Sequence, residues 1–168
     1  QQEKRVADAK IAYEKALALN PKLAAVLCNL GAMAEETEEW ESALQYFGKA
    51  LEIEPNLAEA HSNLGNTLRR LGRLDEAEAS YNQAIALKPD YAEAHINLGN
   101  TLQELGRLDE AEASYNQAIA LKPDYTEAHI NLGDTLQELG RLDEATNIFH
   151  LMLTIKSECV CSATNSPV

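Results

Sequence analysis

Prolines recur along this chain at a fixed interval of 34 residues. They stand at Pro21, Pro55, Pro89 and Pro123, and Ser157 occupies the next place in the series. An interval of this length is typical of proteins built from stacked copies of one supersecondary unit. Because a single unit cannot bury its apolar face alone, the interval predicts that successive copies pack against one another.

The repeating frame covers almost the whole sequence. We predict a single array over residues 1–157, followed by a polar tail over residues 158–168. Residues 1–23 supply the second half of an earlier unit. The full units then run over 24–57, 58–91, 92–125 and 126–159.

Each unit has the pattern of two helices. In the third unit, apolar residues recur at spacings of four and three over 94–105, which marks one face of a helix. Gly106 then ends that helix, because glycine takes the left-handed backbone conformation without strain. A second apolar stripe over 108–119 is followed by Pro123, which cannot continue a helix. Each unit is therefore predicted to be a helix hairpin.

Glycine also recurs in the middle of the first helix of a unit. Gly65, Gly99 and Gly133 hold this place, although glycine inside a helix costs about 1 kcal/mol relative to alanine. A position that accepts this cost in three units predicts that a large side chain approaches the backbone there.

A set of six residue types returns in one register. Leu-Gly stands in the first helix of a unit, and Ala, an aromatic residue, Ala and the terminal proline follow. The fourth unit departs from this pattern at Met152 and Ser157. The complete sets are Leu30, Gly31, Ala43, Phe47, Ala50 and Pro55; Leu64, Gly65, Ala77, Tyr81, Ala84 and Pro89; and Leu98, Gly99, Ala111, Tyr115, Ala118 and Pro123.

These sets resemble the signature of the tetratricopeptide repeat family, over roughly residues 1–157. The resemblance implies an all-α fold, a right-handed superhelical solenoid of antiparallel helix hairpins. It also implies a protein-binding scaffold rather than an enzyme, in which the first helix of each hairpin lines a concave groove. Because one fold serves many partners, the resemblance alone identifies none of them.

One asparagine per unit is predicted to face that groove. Asn29, Asn63, Asn97 and Asn131 form this column, and we name them the ladder asparagines. Asparagine is a poor helix former, so its return in four units needs an explanation. Its amide offers two donors and an acceptor, which suits the N–H and C=O groups of an extended peptide. The column resembles the asparagine ladder in the repeat domain of O-linked N-acetylglucosamine transferase; the alternative is a harmless surface residue copied by duplication.

The dimensions of an extended chain agree with binding of a peptide backbone. Packed helices lie about 8–10 Å apart, whereas an extended strand advances about 3.3 Å per residue. One ladder asparagine would therefore meet roughly every third residue of a bound segment. A second, shorter column of groove residues is predicted at Asn66, Asn100 and Asp134.

The charge of the sequence restricts its partners. The formal net charge is -13 at pH 7, which disfavours nucleic acid and acidic membrane surfaces. Near the ladder asparagines only Arg69 and Arg70 oppose the acids, as a local positive spot. We therefore expect a neutral or basic protein or peptide partner, unlike the carboxylate clamp of chaperone-type tetratricopeptide domains. The acids assigned to the peptide site are Glu93, Glu104, Glu127 and Glu138.

No metal, cofactor or catalytic residue is predicted. The three cysteines lack the paired spacings of zinc sites and are too few for a disulfide framework, so we expect a reducing, cytoplasmic location. His61, His95 and His129 lie one repeat apart, about 10 Å, which is too far to share an ion. We interpret them as packing residues with one polar edge. Neither a signal peptide nor a membrane span is recognised.

Two alternatives stand beside the peptide-binding scaffold. The sequence begins halfway through a unit and shows no polar capping helix at its end, although solenoids need covered terminal faces. It is therefore compatible with a substrate-recognition fragment of a larger transferase. Uncovered ends that associate would instead make it a self-associating structural repeat module.

Overall fold

The computed structural model describes the backbone of residues 11–13, 15–20 and 22–163, with side chains as far as residue 152. All regular secondary structure in these residues is α-helix. Within them, no helix is both long and apolar enough to cross a lipid bilayer. Parts of the predicted half unit and tail, at 1–10, 14, 21 and 164–168, lie outside the described residues.

Eight helices follow one another in pairs between residues 22 and 163. They are α1 Ala24–Glu36, α2 Trp40–Ile53, α3 Ala58–Arg70, α4 Leu74–Leu87, α5 Ala92–Glu104, α6 Leu108–Leu121, α7 Thr126–Glu138 and α8 Leu142–Ala163. Helical residues 11–13 and 15–19 precede α1. The predicted pairing of helices into hairpins is confirmed. Residues 158–163, which sequence reasoning assigned to the polar tail, continue α8.

The chain divides into two compact parts, Gln1–Pro89 and Asp90–Val168, here the N-terminal part and the C-terminal part. In the N-terminal part α1 packs on α2, α3 packs on α4, and α2 contacts α3. The C-terminal part repeats this order with α5 on α6, α7 on α8, and α6 against α7. The first helices of neighbouring hairpins also touch, α1 with α3 and α5 with α7. Each part therefore sets two helices that carry ladder asparagines side by side.

An aromatic ring of the second helix lies against the mid-helix glycine of the first helix. A Cβ added to Gly65 would lie 2.6 Å from Cε1 of Tyr81, and one added to Gly99 would lie 2.5 Å from Cε1 of Tyr115. Since real Cβ atoms do not approach so closely, only glycine admits the ring. The predicted close approach is confirmed. The other two hairpins place Phe47 against Gly31 and Phe149 against Gly133.

Glycine in the left-handed conformation follows the first helix of three hairpins. Gly106 has φ 75°, and its N–H donates to the carbonyl of Gln103 over 2.9 Å. The N–H of Arg107 donates to the carbonyl of Leu102, also over 2.9 Å. These two bonds satisfy carbonyls that the helix end leaves open, so the predicted cap is confirmed. Gly72 and Gly140 have φ of 72° and 77°.

Candidate functional site

The four ladder asparagines lie in one register on the first helices of their hairpins. Asn29 on α1 is exposed, whereas Asn63 on α3, Asn97 on α5 and Asn131 on α7 are half-buried. A half-buried amide has less rotamer freedom to lose on meeting a ligand, which lowers the entropic cost of binding. Three of the four amides are therefore half-covered by the fold, whereas that of Asn29 is open to solvent.

A pocket of about 410 Å³ opens beside two ladder asparagines in the N-terminal part. Asn29 from α1 and Asn63 from α3 both line it. The turn between α2 and α3 and the start of α3 complete its wall. The structure thus places these two amides at one concave site. Other side chains that line the pocket are Ala25, Cys28, Ala32, Glu54, Glu59 and Lys88.

Two ladder asparagines hydrogen-bond to neighbouring side chains through the amide nitrogen. Asn29 Nδ2 donates to the hydroxyl oxygen of Tyr13 over 3.4 Å. Asn131 Nδ2 donates to Oδ1 of Asn100 over 2.7 Å. These bonds orient the amide planes before a ligand arrives, which favours a preformed site.

The structure gives Asn66 and Asn100 of the second predicted column a partner inside their own hairpin. The Tyr81 hydroxyl donates to Asn66 Oδ1 over 2.8 Å, and the Tyr115 hydroxyl lies 2.8 Å from Asn100 Oδ1. Both tyrosines are fully buried, and a buried hydroxyl needs an acceptor. Asp134, the third residue of this column, is exposed.

Sequence reasoning missed this tyrosine–asparagine bond, although the sequence carries a signal for it. Asn66 and Asn100 each precede a tyrosine by 15 residues. At the same interval before a phenylalanine the asparagine is absent, so it accompanies only the rings that carry a hydroxyl. The two pairs without asparagine are Ala32 with Phe47 and Asp134 with Phe149.

Two of the predicted groove acids surround a tyrosine in the C-terminal part. Glu93 and Glu127 lie in the first turns of α5 and α7 and are exposed. Burial, followed by the charges of these two carboxylates, raises the pKa of Tyr125. Lys122 Nζ lies 4.5 Å from the centroid of the same ring. The charged groups that act on Tyr125 are therefore two carboxylates and one ammonium group of the chain itself.

The other two predicted acids lie at the ends of the same helices. Glu104 on α5 and Glu138 on α7 are both exposed. Gln103 Nε2 donates to Glu138 Oε1 over 2.6 Å, which joins α5 to α7. Glu138 therefore also links neighbouring hairpins.

In the predicted positive spot at Arg69 and Arg70, Arg70 interacts with Trp40 and Glu35 of the N-terminal part. Arg70 Cζ lies 5.9 Å from the centroid of the Trp40 ring. The pKa of Glu35 is raised, because the effect of burial outweighs the hydrogen bond from Thr67 and the charge of Arg70, both of which lower it. Arg69 is half-buried. Neither arginine is among the residues that line the pocket.

Two of the repeated histidines, His61 and His129, contact the carbonyl of the repeated proline. His61 Nε2 lies 2.9 Å from the Pro55 oxygen, and His129 Nε2 lies 2.8 Å from the Pro123 oxygen. His129 is 2% exposed, so the packing role with one polar edge is confirmed for it. Among the described residues, no group of three or more His, Cys, Asp or Glu side chains is placed to hold a metal ion.

Family models place this architecture within one repeat family. A model described as TPR repeat matches residues 65–106 and 102–140. Three models described as tetratricopeptide repeat match residues 46–79, 24–57 and 126–159. Together these matches cover residues 24–159. The chain belongs to the tetratricopeptide repeat family.

Solved structures share the fold. MamA is 25% identical, with a TM-score of 0.87 over 95% of this chain and 95% of that chain. YrrB, described as a TPR protein with an unusual peptide-binding site, is 24% identical, with a TM-score of 0.78 over 93% of this chain and 80% of its own. The first TPR of Spaghetti (RPAP3), bound to the HSP90 peptide SRMEEVD, is 26% identical, with a TM-score of 0.68 over 70% of this chain and 93% of its own.

A search of curated protein sequences finds no significant match. The family and the solved structures confirm the predicted all-α fold of helix hairpins. The family and the Spaghetti domain also support the general class of protein-interaction scaffold.

Proposed function

We propose that this chain is a non-catalytic scaffold that binds an extended, neutral or basic polypeptide segment through its ladder asparagines. The observation that carries the proposal is the pocket in the N-terminal part, because Asn29 and Asn63 line it together. The C-terminal part contributes Asn97 and Asn131 from two touching helices. No cofactor is needed for this function.

Amide chemistry supports recognition of a backbone rather than of a particular sequence. Each asparagine can donate to a peptide carbonyl and accept from a peptide N–H. One such hydrogen bond contributes about 0.5–1.5 kcal/mol, so several are required for useful affinity. Four asparagines in one register meet this requirement better than any single residue would.

Charge supports the preference for a neutral or basic segment. The net charge of -13 attracts cationic chains, and the exposed Glu93, Glu104, Glu127 and Glu138 lie on the helices that carry Asn97 and Asn131. An acidic segment would meet like charge at these positions.

Peptide binding among similar structures supports peptide binding by this chain, whereas the preference for a neutral or basic segment rests on charge alone. YrrB has a peptide-binding site, and the Spaghetti domain was solved with a bound peptide. A reducing, cytoplasmic location belongs to the same proposal.

The experiment compares alanine variants at two sets of asparagines. The ladder variant Asn63→Ala, Asn97→Ala, Asn131→Ala should bind a basic, extended peptide about 100-fold more weakly than the wild type, at about 1 kcal/mol per lost bond. The control variant replaces exposed asparagines on second helices, and should bind as the wild type does. Its substitutions are Asn82→Ala, Asn116→Ala and Asn147→Ala.

Fluorescence polarisation measures the affinity, and circular dichroism checks that both variants keep their helicity. Equal affinity of the ladder variant and the wild type, with helicity preserved, would refute the proposal. Absence of peptide binding by the wild type, with light scattering that rises steeply with concentration, would favour the self-associating module instead.

A further inference from the structure

The pocket beside Asn29 and Asn63 owes its space to small residues that the later hairpins lack. Ala25 and Ala32 line it. The equivalent residues two repeats later are Glu93 and Asn100. Asn100 there bonds to Asn131 and lies beside the Tyr115 hydroxyl. The same place in the C-terminal part thus carries two larger side chains, of which Asn100 is hydrogen-bonded to its neighbours, whereas the N-terminal part leaves room for a ligand.

The charge of the pocket is also peculiar to this position in the sequence. Glu54 lines it, but the next two repeats have Lys88 and Lys122 at the equivalent position. Lys122 stacks over Tyr125, so the C-terminal part supplies its own cation where the N-terminal part has a carboxylate. Glu59 and Lys88 also line the pocket, which gives it two carboxylates and one ammonium group.

The thiol of Cys28, which lines the pocket, is affected by the charges of neighbouring residues. Burial raises its pKa, and the charges of Glu54 and Glu59 raise it further. Both carboxylates, which belong to exposed residues, therefore act on the same half-buried side chain. A cation held there would gain from the same two charges.

We propose that this pocket receives the side chain of one lysine or arginine from the bound polypeptide, while Asn29 and Asn63 hold the adjacent backbone. The proposal rests on the function proposed above and names a specificity site within it. The long aliphatic stem of such a residue lies along Ala25, Ala32 and Cys28, and its charged head meets Glu54 and Glu59. A volume of about 410 Å³ falls within the range of about 300–1,000 Å³ usual for ligand pockets.

The test uses three peptides of about nine residues, a length of about 30 Å for an extended chain at about 3.3 Å per residue, which is enough to pass both ladder asparagines of the N-terminal part. They consist of alternating serine and threonine with lysine, norleucine or glutamate at the centre. Wild-type chain should bind the lysine peptide at least tenfold more tightly than the norleucine peptide, and the glutamate peptide least tightly. Equal affinity for lysine and norleucine would overturn the proposal.

Two variants with the same change of net charge show whether the preference for the lysine peptide arises at the pocket. Glu54→Lys introduces the residue that later repeats carry at this position, and it should remove the preference for lysine. Glu52→Lys alters an exposed residue of α2 outside the pocket lining, and it should keep the preference. Glu54→Gln, which retains the side-chain shape, should reduce it. Loss of the preference in Glu52→Lys to the same extent would show a general charge effect and overturn the assignment.

Reactivity of Cys28 gives a second measurement. In a chain carrying Cys159→Ser and Cys161→Ser, Cys28 is the one remaining thiol, and saturating lysine peptide should slow its alkylation by iodoacetamide at least fivefold. An unchanged rate would contradict occupation of this pocket. The norleucine peptide separates the two proposals: if it binds and depends on the ladder asparagines, the proposed function stands even when the lysine site fails.

Discussion

The hydroxyl groups of buried tyrosines decide where the second asparagine column occurs. Tyr81 and Tyr115 each bring a hydroxyl to an asparagine oxygen. Phe47 occupies the equivalent place in the first hairpin, where Ala32 stands instead of asparagine. At the scale of single residues, therefore, Asn66 and Asn100 are explained by a buried polar group inside the hairpin.

Because Asn66 and Tyr81 are paired, a second substitution at Tyr81 should restore the stability that is lost on replacing Asn66. Asn66→Ala removes the acceptor that lies 2.8 Å from the buried Tyr81 hydroxyl, and it should lower the free energy of unfolding by about 1–3 kcal/mol. Adding Tyr81→Phe recreates the alanine–phenylalanine pair of the first hairpin, and it should restore most of the loss. Urea unfolding followed by circular dichroism measures both changes. A double variant no more stable than Asn66→Ala would contradict the pairing.

At the scale of elements, the first hairpin differs from the others in its turn. Three hairpins place glycine after the first helix, at Gly72, Gly106 and Gly140. The first hairpin has Glu38 there, with φ 58°, and the N–H of Glu39 donates to the carbonyl of Ala34 over 2.8 Å. The capping bonds are thus kept although the residue has a side chain that disfavours this conformation.

Glu38→Gly should therefore stabilise the protein by about 1 kcal/mol, because it removes a left-handed non-glycine residue. The matched control is Glu36→Gly, at the end of α1, which should destabilise the protein because glycine is unfavourable within a helix. Thermal unfolding of the two variants beside the wild type measures the difference. Equal shifts of both variants in the same direction would contradict the strain assigned to Glu38.

At the scale of the whole molecule, the 34-residue interval and the apolar stripes within each unit together were sufficient to predict the helix hairpins. Gly106 marks a helix end, and Gly65 and Gly99 predict close packing of an aromatic ring. These features could be predicted because each of them depends only on residues within one hairpin. The pocket could not be predicted in this way, because Ala25, Glu54 and Glu59 come from different elements and meet only through packing. Likewise, the sequence showed which asparagines repeat but not that Asn66 and Asn100 bond to tyrosines.

The central claim is that the ladder asparagines hydrogen-bond to the backbone of a bound polypeptide. The most direct test is a double-mutant cycle between Asn63→Ala and peptides in which one backbone amide at a time is replaced by an ester, which removes an N–H donor. At the position opposite Asn63, the ester should weaken binding to the wild type about fivefold, equivalent to about 1 kcal/mol, and should not weaken binding to the variant further. If every ester weakens binding to the wild type and to Asn63→Ala equally, Asn63 does not bind the backbone and the ladder assignment is wrong.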